Sequence, residues 1–390
     1  MTGAEGASFF HAGRRAERCE RAPFLPAQRM KQPAFTPFGP DTATVAADAD
    51  EEPGERLLGG NQADLFDHTE EVRAALLGTL ARAVNHINLD AALLQAPGLG
   101  DDIIGCLAEQ CRKGVRVQVI ARTLDMARST DALSRLCEAG ITLNEDHPRR
   151  GWRGWLDRRL RATHRQLAVV DGEVAWCGPG IRSPDLCSFG PHVRVRGPVV
   201  QRFQRLFLES WHASSAATRL PQANYFPPLI AVGRAHMGLA VPPAVGGTPM
   251  QEGQSLVEQI ERARAQVAVS MVERAPSRRL MKALLAAGAS GVGVTVVVHR
   301  HALGWRWQAR CADLLSVGAR VYRADDSCPF PCHAVVDGSW SSLAVDVPGA
   351  KVGEGTELIV EDTEFAASLE AVFHLATGHA VQLHEAIVPA

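Results

Sequence analysis

A chain of 390 residues with 41 Lys and Arg against 43 Asp and Glu, 46% hydrophobic residues and a mean hydropathy of -0.06 falls in the ordinary globular class and has room for two domains. A formal net charge of -2 supplies no global field for nucleic acid or an anionic membrane, so any such attraction must come from a local patch. No apolar run of about 18 residues and no basic-then-apolar leader over Met1 to Arg18 argue against a membrane-spanning or secreted protein, and nine cysteines without a C-x-x-C pair suit reduced core thiols rather than a disulfide framework.

Residues 1–58 mix Pro, Gly, Ala and charge without period, and Asp41 to Glu55 holds six acidic residues and no basic one, which predicts a disordered tail. From Asn61 the pattern changes to apolar residues at helical spacing, Val72, Leu76, Leu80 and Val84, each such stretch followed by a short β-type run. A weak internal duplication then emerges. Leu80 to Ile87 resembles Ile260 to Val267, Gly114-Val-Arg-Val resembles Gly291-Val-Gly-Val, and Leu136 to Gly140 resembles Leu314 to Gly318, in the same order and at nearly equal separations. A helix ended by glycine and followed by a strand, repeated this way, requires crossover connections. The expected fold is α/β: two duplicated domains, each a mostly parallel mixed sheet with helices on both faces and the site at their interface. The boundaries are 59–215 for the first domain, 216–253 for a Pro- and Gly-rich connection, and 254–390 for the second.

Between Arg149 and Arg165 lie seven arginines and one acidic residue, Asp157, with Trp152 and Trp155 among them. Guanidinium forks suit phosphate and tryptophan suits a membrane interface, so Arg149, Arg150, Arg153, Arg161 and Arg165 are candidate contacts for a phospholipid headgroup. Single-stranded nucleic acid would be served by similar residues and ranks behind phospholipid. Each half then ends in a strand followed by Asp-Gly: His164-Arg-Gln166-Leu-Ala-Val-Val-Asp171-Gly172 in the first and Phe330-Pro-Cys332-His333-Ala-Val-Val-Asp337-Gly338 in the second.

With its strand and Asp-Gly once per half, the sequence resembles the phospholipase D superfamily, whose mark is H-x-K-x(4)-D-G. The resemblance runs from about Gly59 to the C-terminus and is closest to bacterial cardiolipin synthases of the type without transmembrane helices. His192-Val-Arg-Val-Arg-Gly-Pro198 continues the first block, and Val336 to Ser342 with Thr356-Glu-Leu358 follows the second. What the resemblance implies is phosphatidyl transfer without metal or cofactor. One motif histidine forms a phosphohistidine, the other serves as acid and then base, and the motif lysines hold the non-bridging oxygens. The implied partner is an anionic phospholipid such as phosphatidylglycerol, and the implied location is the cytoplasm or the periphery of the inner membrane face.

Several reacting positions depart from that pattern. His164 and Asp171 are present, but Gln166 stands where lysine belongs and Gly178-Pro-Gly-Ile181 where Gly-Gly-x-Asn belongs. In the second half Phe330 replaces histidine and Cys332 replaces lysine, and only Asp337 remains. Strand alternation aims His333 away from the face shared by Phe330 and Cys332, so its expected place is under a helix. Asp171 and Asp337 are expected to close the turn at the strand end. Glu357 falls where the family orients a motif histidine. Cys328, Cys332 and His333 lack a fourth ligand for zinc, and His299 and His301 sit at a strand end where open sheets place ligands. The expectation is a chain with absent or residual transfer activity through His164. Its alternatives are a non-catalytic binder of anionic phospholipid or phosphate and a regulatory partner of an active homologue.

Overall fold

The computed structural model describes residues 56–95, 98–122, 130–146, 166–178, 191–213, 220–241, 255–271, 276–299, 305–324, 333–345 and 356–384. The expected tail, 1–58, lies outside the described residues up to 55. In chain order the first half runs β1 (Leu58–Phe66), α1 (Thr69–Leu80), β2 (His86–Asp90), α2 (Leu99–Arg112), β3 (Arg116–Arg122), α3 (Thr130–Glu138), β4 (Thr142–Asp146), β5 (Gln166–Val170), β6 (Val174–Gly178), β7 (His192–Arg196) and α4 (Val200–Ala213). The second runs β8 (Ala235–Ala240), α5 (Leu256–Arg262), β9 (Gln266–Met271), α6 (Arg278–Ala289), β10 (Gly293–His299), α7 (Trp305–Ser316), β11 (Arg320–Ala324), β12 (His333–Val336), β13 (Trp340–Ala344), β14 (Glu357–Glu361), α8 (Thr363–His379) and β15 (Val381–Leu383).

One sheet carries both halves, in the order β15-β11-β10-β9-β12-β13-β14-β8-β1-β7-β6-β5-β2-β3-β4. Reading outward from the central antiparallel pair β8·β1, the two sides repeat: β7-β6-β5-β2-β3-β4 on one, β14-β13-β12-β9-β10-β11 on the other. The duplication expected from the glycine punctuation is therefore a duplication of topology. Its turns repeat in detail. Gly114 (φ 91°) and Gly291 (φ 87°) occupy the left-handed region after α2 and α6, and the next amides, of Val115 and Val292, donate back to the carbonyls of Gln110 and Ala287 at 3.0 and 3.1 Å. That closure releases the chain straight into β3 and β10.

Two details differ from expectation. The parallel pairs are confined to the outer strands, β2·β3·β4 and β9·β10·β11, and the remaining joins are antiparallel. The sheet is mixed as expected, but with a smaller parallel share, because the Asp-Gly turns make hairpins of β5·β6 and β12·β13 where crossovers alone would make parallel neighbours. The connection expected over 216–253 contains β8, which pairs with β14 and β1, so the second half of the sheet begins inside it. Its prolines and glycines hid a strand whose residues are mostly buried.

Helices cover both faces. Under α1 and α2 lies one core, including Leu76, Leu80, Ile87, Leu89, Ala168, Val170 and Trp176; a matching core under α5, α6 and α7 includes Val267, Val269, Ala334, Val336 and Trp340. On the other face a single core draws on both halves, uniting Leu167, Val169, Val193 and Phe203 of the first with Val335, Leu343, Leu358 and Leu369 of the second. Phe203, Phe207 and Trp211 of α4 are fully buried there, and truncating any of them to alanine would cost about 3–5 kcal/mol.

Candidate active site

The Asp-Gly turns fix the frame. Asp171, at φ 54°, follows β5 and accepts three backbone hydrogen bonds, from the amides of Val84 (2.8 Å), Asn85 (2.7 Å) and His86 (2.9 Å). Asp337, at φ 49°, follows β12 and accepts from Arg264 (2.9 Å), Ala265 (2.8 Å) and Gln266 (2.9 Å). Each aspartate also donates its own amide at 2.9 Å, to the carbonyl of His86 and of Gln266 respectively. Burial pushes the Asp337 carboxyl up, but the three backbone donors and the nearby Arg264 charge outweigh it and hold the group below its usual value. Both side chains fasten the end of one strand to the start of another.

The opposite ends of β5, β6 and β7 hold Gln166, which stands where the family pattern has lysine. β5 runs antiparallel to β2, so Gln166 begins beside the C-terminal end of β2, the edge at which open α/β sheets bind ligands. Gln166 faces Gly178 across β5·β6, and the register of β6·β7 sets Gly178 beside His192. Three residues thus form a row across three strands. Gly178 has no side chain, and the His192 ring lies over it: a Cβ added at 178 would come within 2.8 Å of the imidazole Cδ2. The ring reaches across to Gln166, and its Nε2–H donates to the carbonyl Oε1 at 3.1 Å. Both side chains are buried. Next to them on the same face Phe66 stacks on Trp176 with centroids 5.1 Å apart, and the Arg194 guanidinium lies 5.4 Å from the Phe66 centroid while donating to Asp64 at 3.0 Å. Asp64 thus holds the Arg194 charge at this edge.

The matching row of the second half is built differently. Ala344 stands beside Glu357 across β13·β14, where Gly178 stands beside His192. Glu357 is buried and accepts a 2.5 Å hydrogen bond from Ser342 Oγ. His333 is buried at the start of β12, with the Ser270 hydroxyl 3.2 Å from its Nδ1 and its ring edge-on to Phe373 of α8 at 5.5 Å. It packs under a helix, on the face opposite to Ala334 and Val336. His299 is buried at the end of β10.

His164, Arg149, Arg150, Arg153, Arg161, Arg165, Phe330, Cys332, Cys328 and His301 lie outside the described residues. Among the described residues no group of three metal-ligating side chains occurs, and no helix is long and apolar enough to cross a membrane. Burial raises the Cys177 thiol to about 12 and that of Cys311 to about 11, so both are core thiols rather than nucleophiles.

No family model matches the chain. It is 26% identical over 310 residues to the cardiolipin synthase of Listeria innocua, covering 74% of this chain and 63% of that one. It is 24% identical over 339 residues to cardiolipin synthase A of Pectobacterium atrosepticum, covering 80% and 68%. The chain is thus cardiolipin synthase-like in sequence. The fold is seen again in the phosphatidylserine synthase of Haemophilus influenzae, which superposes with a TM-score of 0.60 over 85% of this chain and 90% of its own, at 10% identity. The cardiolipin synthase-like chain spans about two thirds of the length of the curated relatives it matches.

Sequence reasoning reached His192 only as the first residue of a motif block and missed its reach to Gln166. The signal was Gly178: a glycine inside a strand often marks a close approach by a neighbouring group. Which group approaches depends on the register of β6·β7, and the segment joining those strands carries no such rule.

Proposed function

We propose that this chain holds an anionic phospholipid such as phosphatidylglycerol at the edge formed by β5, β6 and β7, and that it turns the lipid over at a trace rate or not at all. The observation that carries the reading is Gln166. Phosphoryl transfer loads negative charge onto the non-bridging oxygens, and at the position where the family pattern has lysine this chain has a neutral amide, buried and committed to His192. In the second half the sequence puts Phe330 and Cys332 at the acid and lysine positions.

The magnitudes favour a holder over a catalyst. Losing a general acid costs about 10²–10⁴ in rate, and losing one transition-state donor costs about 2.7–4 kcal/mol. Such losses are not additive, but a site missing its acid and both lysines retains little of the mechanism. In this reading His164 is a nucleophile without a partner acid, Arg161 and Arg165 contact the headgroup phosphate, and Arg149, Arg150 and Arg153 bring the protein to the periphery of an anionic membrane.

Transfer from labelled phosphatidylglycerol in anionic vesicles tests the reading. The unaltered protein and His164→Ala should both stay at the protein-free background, and a variant carrying Gln166→Lys, Phe330→His and Cys332→Lys should rise above it. Sustained product from the unaltered protein that disappears in His164→Ala would overturn the claim of impairment.

A further inference from the structure

The row Gln166, Gly178, His192 leaves one group unexplained. The Gln166 carbonyl oxygen is occupied by His192, and the amide nitrogen at the other side of the same carboxamide is buried with no hydrogen-bond partner among the described residues. Gln166 is 1% exposed. A buried amide donor left unmade costs about 1–3 kcal/mol, and folded chains seldom carry that cost without a use for the group. A ring nitrogen that donates to Oε1 turns the two amide hydrogens of Gln166 to the far side, away from β7.

We propose that His192 is a positioning residue that aims the Gln166 amide at a phosphoryl oxygen of the bound headgroup, so that this chain holds phosphate with an oriented neutral donor in place of a cation. The inference rests on the phospholipid-holding reading above and names the device that does the holding. Three features of the row support it. The orphaned donor lies at the ligand-binding edge of the sheet, and its orientation is fixed by a single buried hydrogen bond. That bond exists only because residue 178 is glycine, since a Cβ there would come within 2.8 and 2.9 Å of two imidazole carbons. The second half shows the alternative: with Ala344 in the place of Gly178, Glu357 engages Ser342. A neutral donor also accounts for holding without turnover, because a neutral hydrogen bond discriminates weakly between the ground state and the more highly charged transition state.

The test is equilibrium binding of short-chain phosphatidylglycerol below its micellar concentration, with inorganic phosphate and glycerol 3-phosphate as separate arms and thermal unfolding recorded for every variant. Gln166→Met and His192→Ala should each weaken binding by about two- to tenfold, the range of one net hydrogen bond. Gly178→Ala should behave as His192→Ala does. His192→Gln, whose amide nitrogen reaches nearly as far as imidazole Nε2, should restore binding, which a purely packing role for the ring does not predict. The side-chain amide signal of Gln166 should shift on adding the lipid to the unaltered protein and not to His192→Ala. If the free phosphates bind as tightly as the lipid and show the same losses, the device is a phosphate holder without lipid preference. Lipid binding that is unchanged across all four variants would overturn the inference and leave the holding reading in place; no lipid binding by the unaltered protein would overturn both.

Discussion

The two halves of the sheet carry the same turn and different edges. At one end of β5 and of β12 an aspartate in the left-handed region gathers three backbone amides with nearly superimposable distances. At the other end the rows have parted: Gln166, Gly178 and the His192 ring over it in the first half, Ala344 and a serine-bound Glu357 in the second. The difference separates two kinds of constraint. The aspartates close backbone that the fold cannot leave open, whereas the edge row closes no backbone. Chemistry that needs both edges fails once either has changed, while binding at one edge can persist.

The largest effects should come from the shared turns. Asp171→Ala and Asp337→Ala each remove a carboxylate from three amides and leave a β-carbon residue at positive φ, so each should lower the unfolding free energy by about 3 kcal/mol in urea titration. Nearly equal losses would confirm that the two frames are equivalent; a gap of more than about 2 kcal/mol would break the comparison. The next effect separates the edges. Gly178→Ala drives a methyl group into the His192 ring and should cost about 1–3 kcal/mol, while Ala344→Gly in the matching place should cost no more than about 1 kcal/mol.

A smaller effect separates the halves by pH. His86, buried beside Gln204 and edge-on to Tyr225, corresponds to Gln266 in the second half. Burial pulls the His86 pKa down, and Arg116 adds to this, against the opposing pull of the Gln204 hydrogen bond and Asp171. The folded histidine therefore refuses a proton that the unfolded one accepts at about pH 6.5. Its contribution is fully present above that value and is lost as pH falls below it, and His86→Gln should flatten the profile there. Asp337, with its lowered pKa, adds a second loss only as pH falls below about 3.9, the ordinary aspartate value. The smallest effect concerns the arginines of 149–165: replacing Arg149, Arg150 and Arg153 by serine should weaken vesicle binding mainly at low salt, where exposed charges act furthest.

How much of this could be read from residues alone varies with the range of the interaction. Glycines that end helices, such as Gly114 and Gly291, act within one turn, so the duplication was legible from them. The Asp-Gly pairs were legible as strand ends for the same reason. β8 was not, because its strand character comes from β14 and β1, far away in the chain, and its flanking prolines argue locally for a connection. The bond between His192 and Gln166 was hidden for a related reason: it depends on two registers, β5·β6 and β6·β7, and on the absence of a side chain between them. Glu357 was legible as a polar residue at a motif position, but its partner Ser342 sits on the neighbouring strand, two residues from the one directly opposite.

The central claim is that the first edge holds phospholipid while the divided site no longer transfers it. One sample can test both parts: titrate the unaltered protein with short-chain phosphatidylglycerol in a calorimeter, then assay the same solution by mass spectrometry for cardiolipin, phosphatidic acid and free glycerol. The account predicts saturable binding and no product above the protein-free control. Product accumulating over many turnovers would contradict it.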